Sequence, residues 1–133
     1  MPIINVEYIG DLRTRSTHID SGDVISTDAP IDNNGLGRKF SPTDLVASSL
    51  GSCLLTIMGI VAKRNHIDMT GSHARVKKVM SENPRRISKI DIDIFMKTDL
   101  NDKDINILKN ASKHCPVHNS LSENMDIIIN FRK

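Results

Sequence analysis

The sequence predicts a mixed α+β fold of order β-β-β-α-β-β-α-β, helices packed against mixed and antiparallel sheets, and three observations carry that prediction. An apolar stretch from Phe40 to His66 is too long for a strand and opens with helix-start chemistry. The run Ile87–Lys97 alternates, with Ile90, Ile92, Ile94 and Met96 on one side and Asp91 and Asp93 on the other. A second capped helical pattern follows Asn101, and an alternating run closes the chain. With 133 residues, 38% hydrophobic and 26% charged, and no repeat or low-complexity tract, the composition predicts one domain over residues 1–133.

Taken in order, residues 3–9 form a first strand through Ile3, Val6 and Tyr8, which Gly10-Asp11 ends as a turn. Leu12–Ile19 alternates and carries Arg13, Arg15 and His18; Ser21-Gly22-Asp23 then turns the chain into a strand over Val24–Thr27. Asp28–Lys39 is loop, because Pro30, Asn33-Asn34-Gly35 and Gly37 are turn chemistry. Beyond the long helix, His73–Ser81 resumes as strand, with Lys77-Lys78 disturbing the alternation as a bulge would. Asn83-Pro84 makes the next turn, and Phe95 interrupts the polar side of the following strand, where it is expected to meet another subunit. Leu100 and Ile105 staple the second helix around N-cap Asn101, and that helix runs to about His114, where Cys115 and Pro116 stop it. A short helical turn is predicted over Val117–Asn124 and a closing strand over Asp126–Arg132.

The central helix is expected over 42–65. Ser41 is its N-cap, Pro42 suits the first helical position, Asp44 completes a capping box, and Phe40 with Leu45 closes a staple. No charge intervenes between Asp44 and Lys63, and apolar residues cover the whole circumference, the mark of a buried helix. A membrane span is the rival reading of such a length, but Ser48, Ser49, Gly51, Ser52, Thr56 and Gly59 make the stretch too polar. Leaving four such aliphatic side chains in water would forfeit roughly 6 to 12 kcal/mol, comparable with the stability of a whole domain. A second subunit is therefore expected to cover part of the helix.

A formal charge of +2, scattered Lys and Arg, and 3% aromatics argue against a nucleic-acid surface. The start MPIINVEYIG has no basic segment leading into an apolar core, so a cytoplasmic location is expected. Two cysteines in that compartment point to reduced, catalytic or metal-binding thiols ahead of a structural bridge. Cys53 lies within the buried helix and Cys115 at the end of another. A free thiol is only a few per cent thiolate at neutral pH, and Cys53 lies beyond reach of its helix dipole, so a cation must activate it. Arg13, Arg15 and Arg38 are candidates from the chain before the helix. Thr43 and Asp44 stand about 14 to 15 Å before Cys53 along the axis, so either would act only by orienting an arginine. Rival readings are an inert buried Cys53, a static bridge, a zinc site of Cys53, His114, Cys115 and His118, and a Cys–His acyl-transfer pair. No C-x2-C spacing supports the zinc site, and no histidine is placed by sequence near Cys53.

The segment SPTDLVASSLGSC, followed much later by HCPVHNSL, resembles the OsmC/Ohr family of organic hydroperoxide reductases, and the element order matches over essentially the whole chain. The resemblance implies an intertwined homodimer around paired cysteine-bearing helices, with Cys53 as the peroxidatic thiolate and Cys115 as the resolving thiol. It places the site arginine at Arg13, with Arg15 as the fallback. It also implies an organic hydroperoxide substrate, no bound cofactor, and an external dithiol reductant, in the family a lipoyl-bearing protein. Well-studied members hold the arginine with a glutamate where this chain has Thr43, and the nearest acid here is Asp44, about 100° further round the helix. A dimeric domain that keeps the fold without peroxidase turnover is the alternative.

Overall fold

The computed structural model describes residues 1–132 and orders them as β1 (Ile4–Gly10), β2 (Arg13–His18), β3 (Val24–Asp28), α1 (Pro42–Arg64), β4 (His73–Ser81), β5 (Arg86–Phe95), α2 (Asp102–Ser112), α3 (Pro116–Ser120) and β6 (Asp126–Arg132). The order matches the sequence expectation except for α3, which is shorter than 117–124 and begins one residue earlier. The chain divides into two compact units, Met1–Val46 and Ala47–Lys133.

In the first unit, β1, β2 and β3 form an antiparallel sheet in that order. Its second turn is the one the sequence announces: the His18 amide bonds to the Asp23 carbonyl at 2.8 Å and the Gly22 amide returns to His18 at 2.8 Å. Gly22 sits at φ +76, a conformation that costs glycine little. The loop after β3 contains a 3-10 turn at Ile31–Asn33. It closes on Gly35, where a β-carbon would overlap the Ala29 carbonyl, so no other residue fits.

Helix α1 starts as its sequence dictates. The Asp44 amide donates to Ser41 Oγ at 3.1 Å and the Ser41 amide donates back to Asp44 Oδ2 at 3.0 Å, which satisfies two orphan donors of the first turn. Its own chain buries one stripe, Ala47, Leu50, Gly51, Leu54, Met58 and Ala62, at the spacing of a single helix face. Leu55, Ile57 and Val61 stay half-buried and Ile60 is 45% exposed, so apolar surface remains on the other side. Among the described residues this is the one helix long and apolar enough to cross a membrane.

In the second unit, β4 pairs antiparallel with β5, and β6 lies parallel on the other side of β5, a geometry that needs the α2–α3 crossover. The alternation of β5 places Ile90, Ile92 and Ile94 wholly inside, where they align with Ile127, Ile129 and Phe131 of β6. On the other face Asp91 and Asp93 stand opposite Lys77 and Arg75. One detail departs from expectation. Lys77 and Lys78 pair regularly with Asp91 and Ile90; the bulge falls at Val79/Met80, leaving Ser88 unmatched, and its hydroxyl donates to the Val79 carbonyl at 3.2 Å. Phe95 finds a partner in its own chain, stacked on His73 with ring centroids 5.0 Å apart. Helix α2 begins at N-cap Asn101, whose side chain accepts from the Asp104 amide at 2.8 Å. It stops at Ser112, short of His114.

Gly51 sets how closely α1 approaches β4. A β-carbon there would stand 2.9 Å from Val76 Cγ2 and 3.9 Å from Ala74 Cβ. Gly51→Ala gains about 1 kcal/mol of helix propensity but overpacks the contact at a cost of about 1–3 kcal/mol, so the net effect is a loss of up to roughly 2 kcal/mol. Val76→Ala in the same chain makes room for the new methyl. A double-mutant cycle read by denaturant unfolding is expected to show favourable coupling of about 1 kcal/mol between the two substitutions.

Candidate active site

Cys53 lies three residues past Leu50 on α1, about 60° off the edge of the buried stripe. It is half-buried, with Val46, Ile57 and Ile60 as neighbours on the same flank of the helix. Cys115 is wholly buried. The sequence places it at the end of a helix, whereas it begins one: Pro116 takes the first position of α3, Cys115 is the N-cap, and its Sγ accepts the His118 amide at 3.5 Å.

Both thiols are free, and Cys53 is close enough to Cys115 to affect its titration. Burial pushes the Cys115 thiol above its ordinary value, and the hydrogen bond with Cys53 pushes the same way. The amides of His118 and Val117 pull against these without reversing them. Cys115 thus keeps its proton at neutral pH. The sequence brought the two cysteines together only through the family resemblance; in the fold, the crossover from β5 to β6 brings the N-cap of α3 to the flank of α1.

Arg13 lies in the first unit, where its Nε donates to Asp28 Oδ1 at 2.7 Å. Asp28 is 1% exposed and also accepts the Arg38 amide through Oδ2 at 3.0 Å. Burial works against its charge, but the Arg13 hydrogen bond and the Arg38 amide, with the charges of Arg13 and Lys39, outweigh it and hold the carboxyl below its ordinary value of 3.8. The acid set against Arg13 is therefore Asp28, a residue the sequence reading passed over. Its signal was available: a turn at Ser21-Gly22-Asp23 fixes a register in which Arg13 faces Asp28. Arg15 forms a 3.6 Å pair with Glu7, both largely exposed. Asp44 serves the helix cap, and Thr43 Oγ1 meets Ser41 Oγ at 3.2 Å. Among the described residues no three of His, Cys, Asp and Glu gather as a metal ion would require, so Cys53, His114, Cys115 and His118 do not form the four-ligand set considered from the sequence.

A carboxyl whose folded pKa is depressed contributes stability that is present above its unfolded pKa and lost as pH falls through the folded one. Asp28→Asn is therefore expected to lower the melting temperature at neutral pH, and the gap to the parent protein is expected to narrow only below the ordinary value of 3.8. Melting curves between pH 7 and pH 2 check both statements; a gap independent of pH would show that the Asp28 charge is not what stabilises the loop.

Comparison with known proteins agrees with this architecture. Residues 35–130 match the family described as OsmC-like protein. A crystal structure from Psychrobacter arcticus 273-4, named for osmotic stress induction and detoxification response, is 45% identical, with a TM-score of 0.93 over 99% of this chain and 96% of that one. An OsmC-like protein from Mycoplasma pneumoniae superposes with a TM-score of 0.82 at 20% identity, covering 99% and 96% of the two chains. An organic hydroperoxide resistance protein OsmC from Legionella pneumophila gives 0.74 at 17% identity over 100% and 97%, a likeness of fold. No curated protein matches the chain. With most of its length matched to the family and a 45% identical relative of the same fold, this chain belongs to the OsmC family.

Proposed function

We propose that this protein is a thiol peroxidase that reduces organic hydroperoxides to alcohols. The observation that carries the reading is the thiol pair: a half-buried Cys53 near a buried Cys115 that burial keeps protonated. Family membership supports it, as do the relatives named for organic hydroperoxide resistance.

In this reading the Cys53 thiolate attacks the distal peroxide oxygen. The O–O bond breaks, an S–O bond forms, and the departing alkoxide takes a proton and leaves as alcohol. Cys115 then attacks the sulfenic sulfur; its thiol proton leaves with the hydroxyl as water and a Cys53–Cys115 disulfide remains. An external dithiol, which by family likeness is carried on a lipoyl-bearing protein, accepts the oxidation and returns both thiols. Arg13 is the cation assigned to Cys53 by the same likeness, and Asp28 would hold it oriented. Val46, Ile57 and Ile60 beside Cys53 suit an apolar peroxide better than hydrogen peroxide. The cycle belongs to a reducing compartment, and the cytoplasm is proposed.

A homodimer is part of the proposal. Among the described residues every large exposed apolar side chain except Ile60 lies in Met1–Val46. Ile4, Val6 and Tyr8 are 61%, 62% and 65% exposed on β1, and Ile25 of β3 shares their face. Each offers on the order of 1–2 kcal/mol to a partner that covers it.

Thiol titration after one equivalent of cumene hydroperoxide tests the chemistry. Two thiols per chain are expected to disappear, none in Cys53→Ser, and Cys115→Ser is expected to stop at a sulfenic acid that dimedone traps. Unchanged thiols in the parent protein would point to a family member without turnover. Light scattering tests the assembly: the parent protein is expected at twice the chain mass, and Val6→Glu with Ile25→Glu at the mass of one chain.

A further inference from the structure

A cavity of about 690 Å³ opens among α2, α3 and β6, within the size range of small-ligand sites. Ile129 and Phe131 give it an apolar floor; Lys109, Lys113, His118 and three asparagines supply its polar wall. Among the described residues no carboxylate lines it. The Lys109 ammonium is held 5.3 Å above the centre of the Phe131 ring, so a cation and an apolar surface meet at one point of the cavity. A smaller cavity of about 290 Å³ continues past Lys109 and Phe131, where Asp102 and Arg132 both line it. The uncompensated positive charge thus lies at the Lys113–His118 end. Neither cysteine lines either cavity; the connection to the thiol pair is His118, whose backbone amide holds Cys115 Sγ.

We propose that the larger cavity binds a medium-chain organic carboxylate, its head at Lys109 and Lys113 and its chain over Ile129 and Phe131. Two ammonium groups in a cavity that no carboxylate lines favour one negative charge, and the floor favours an apolar tail over a small inorganic ion. Nothing in this assignment depends on peroxide chemistry.

The test is calorimetric titration of the reduced, full-length protein with octanoate, octanol and inorganic phosphate, without peroxide. Octanoate is expected to saturate at one per chain, with octanol and phosphate each at least tenfold weaker. Lys109→Gln with Lys113→Gln is expected to weaken octanoate at least tenfold, while Lys63→Gln, on α1 and outside the cavity, leaves it unchanged. All three lysines are exposed, so folding is expected to survive, and circular dichroism checks it. Octanol binding equal to octanoate would reduce the site to an apolar groove, and phosphate binding equal to octanoate would reduce it to a general anion patch. Either result, unchanged affinity in the double variant, or no octanoate binding overturns the proposal. The same titration in Cys53→Ser, which has no peroxidatic thiol, separates failure of this site from failure of the peroxidase reading.

Discussion

The proximity of Cys53 and Cys115 is the constraint on which the proposed chemistry depends, and two structural decisions produce it. Helix α1 must bury one stripe closely enough that Gly51 meets Val76, which sets Cys53 on the rim of the packed face. The chain after α2 must also stop, place Cys115 as an N-cap and restart through Pro116. Either change of phase would turn a sulfur away, since one residue along a helix moves a side chain by about 100°. The same burial that brings Cys115 to the site keeps its proton in place, so position and protonation share one physical cause.

The two units manage apolar surface differently. In Ala47–Lys133 the isoleucines of β5 are wholly buried and their charged neighbours stand opposite complementary charges on β4. In Met1–Val46 the main buried ionisable group is Asp28, held by Arg13 and the Arg38 amide, while β1 leaves its aliphatic residues in water. A sheet of that kind is secured by strand pairing and an ion pair more than by a core. Its uncovered apolar face is the physical reason for reading the chain as one partner of a symmetric pair.

Much of this was legible in the sequence because local chemistry and periodicity carried it. The Ser41–Asp44 capping box, the Asn101 cap, the Ser21–Asp23 turn and the β5 alternation are short-range signals, and each appears where its residues placed it. What failed depended on context. Two adjacent lysines resembled a bulge, yet Asp91 opposite Lys77 lets the ladder continue, and Ser88 on the neighbouring strand carries the irregularity instead. By contrast, the apolar circumference of α1 led to the expectation that its own chain covers only part of it, and one stripe is what that chain buries. Asp28 was missed because an acid at the end of a strand gains meaning only when the hairpin register is followed to Arg13.

The central claim is that these two sulfurs form a redox couple within one chain. Non-reducing peptide mapping after brief exposure to an organic hydroperoxide tests it most directly. The account predicts a peptide pair joined through Cys53 and Cys115 of the same chain, removed by a dithiol. A bond between the Cys53 residues of two chains, or Cys53 oxidised beyond the sulfenic stage while Cys115 stays reduced, would contradict it.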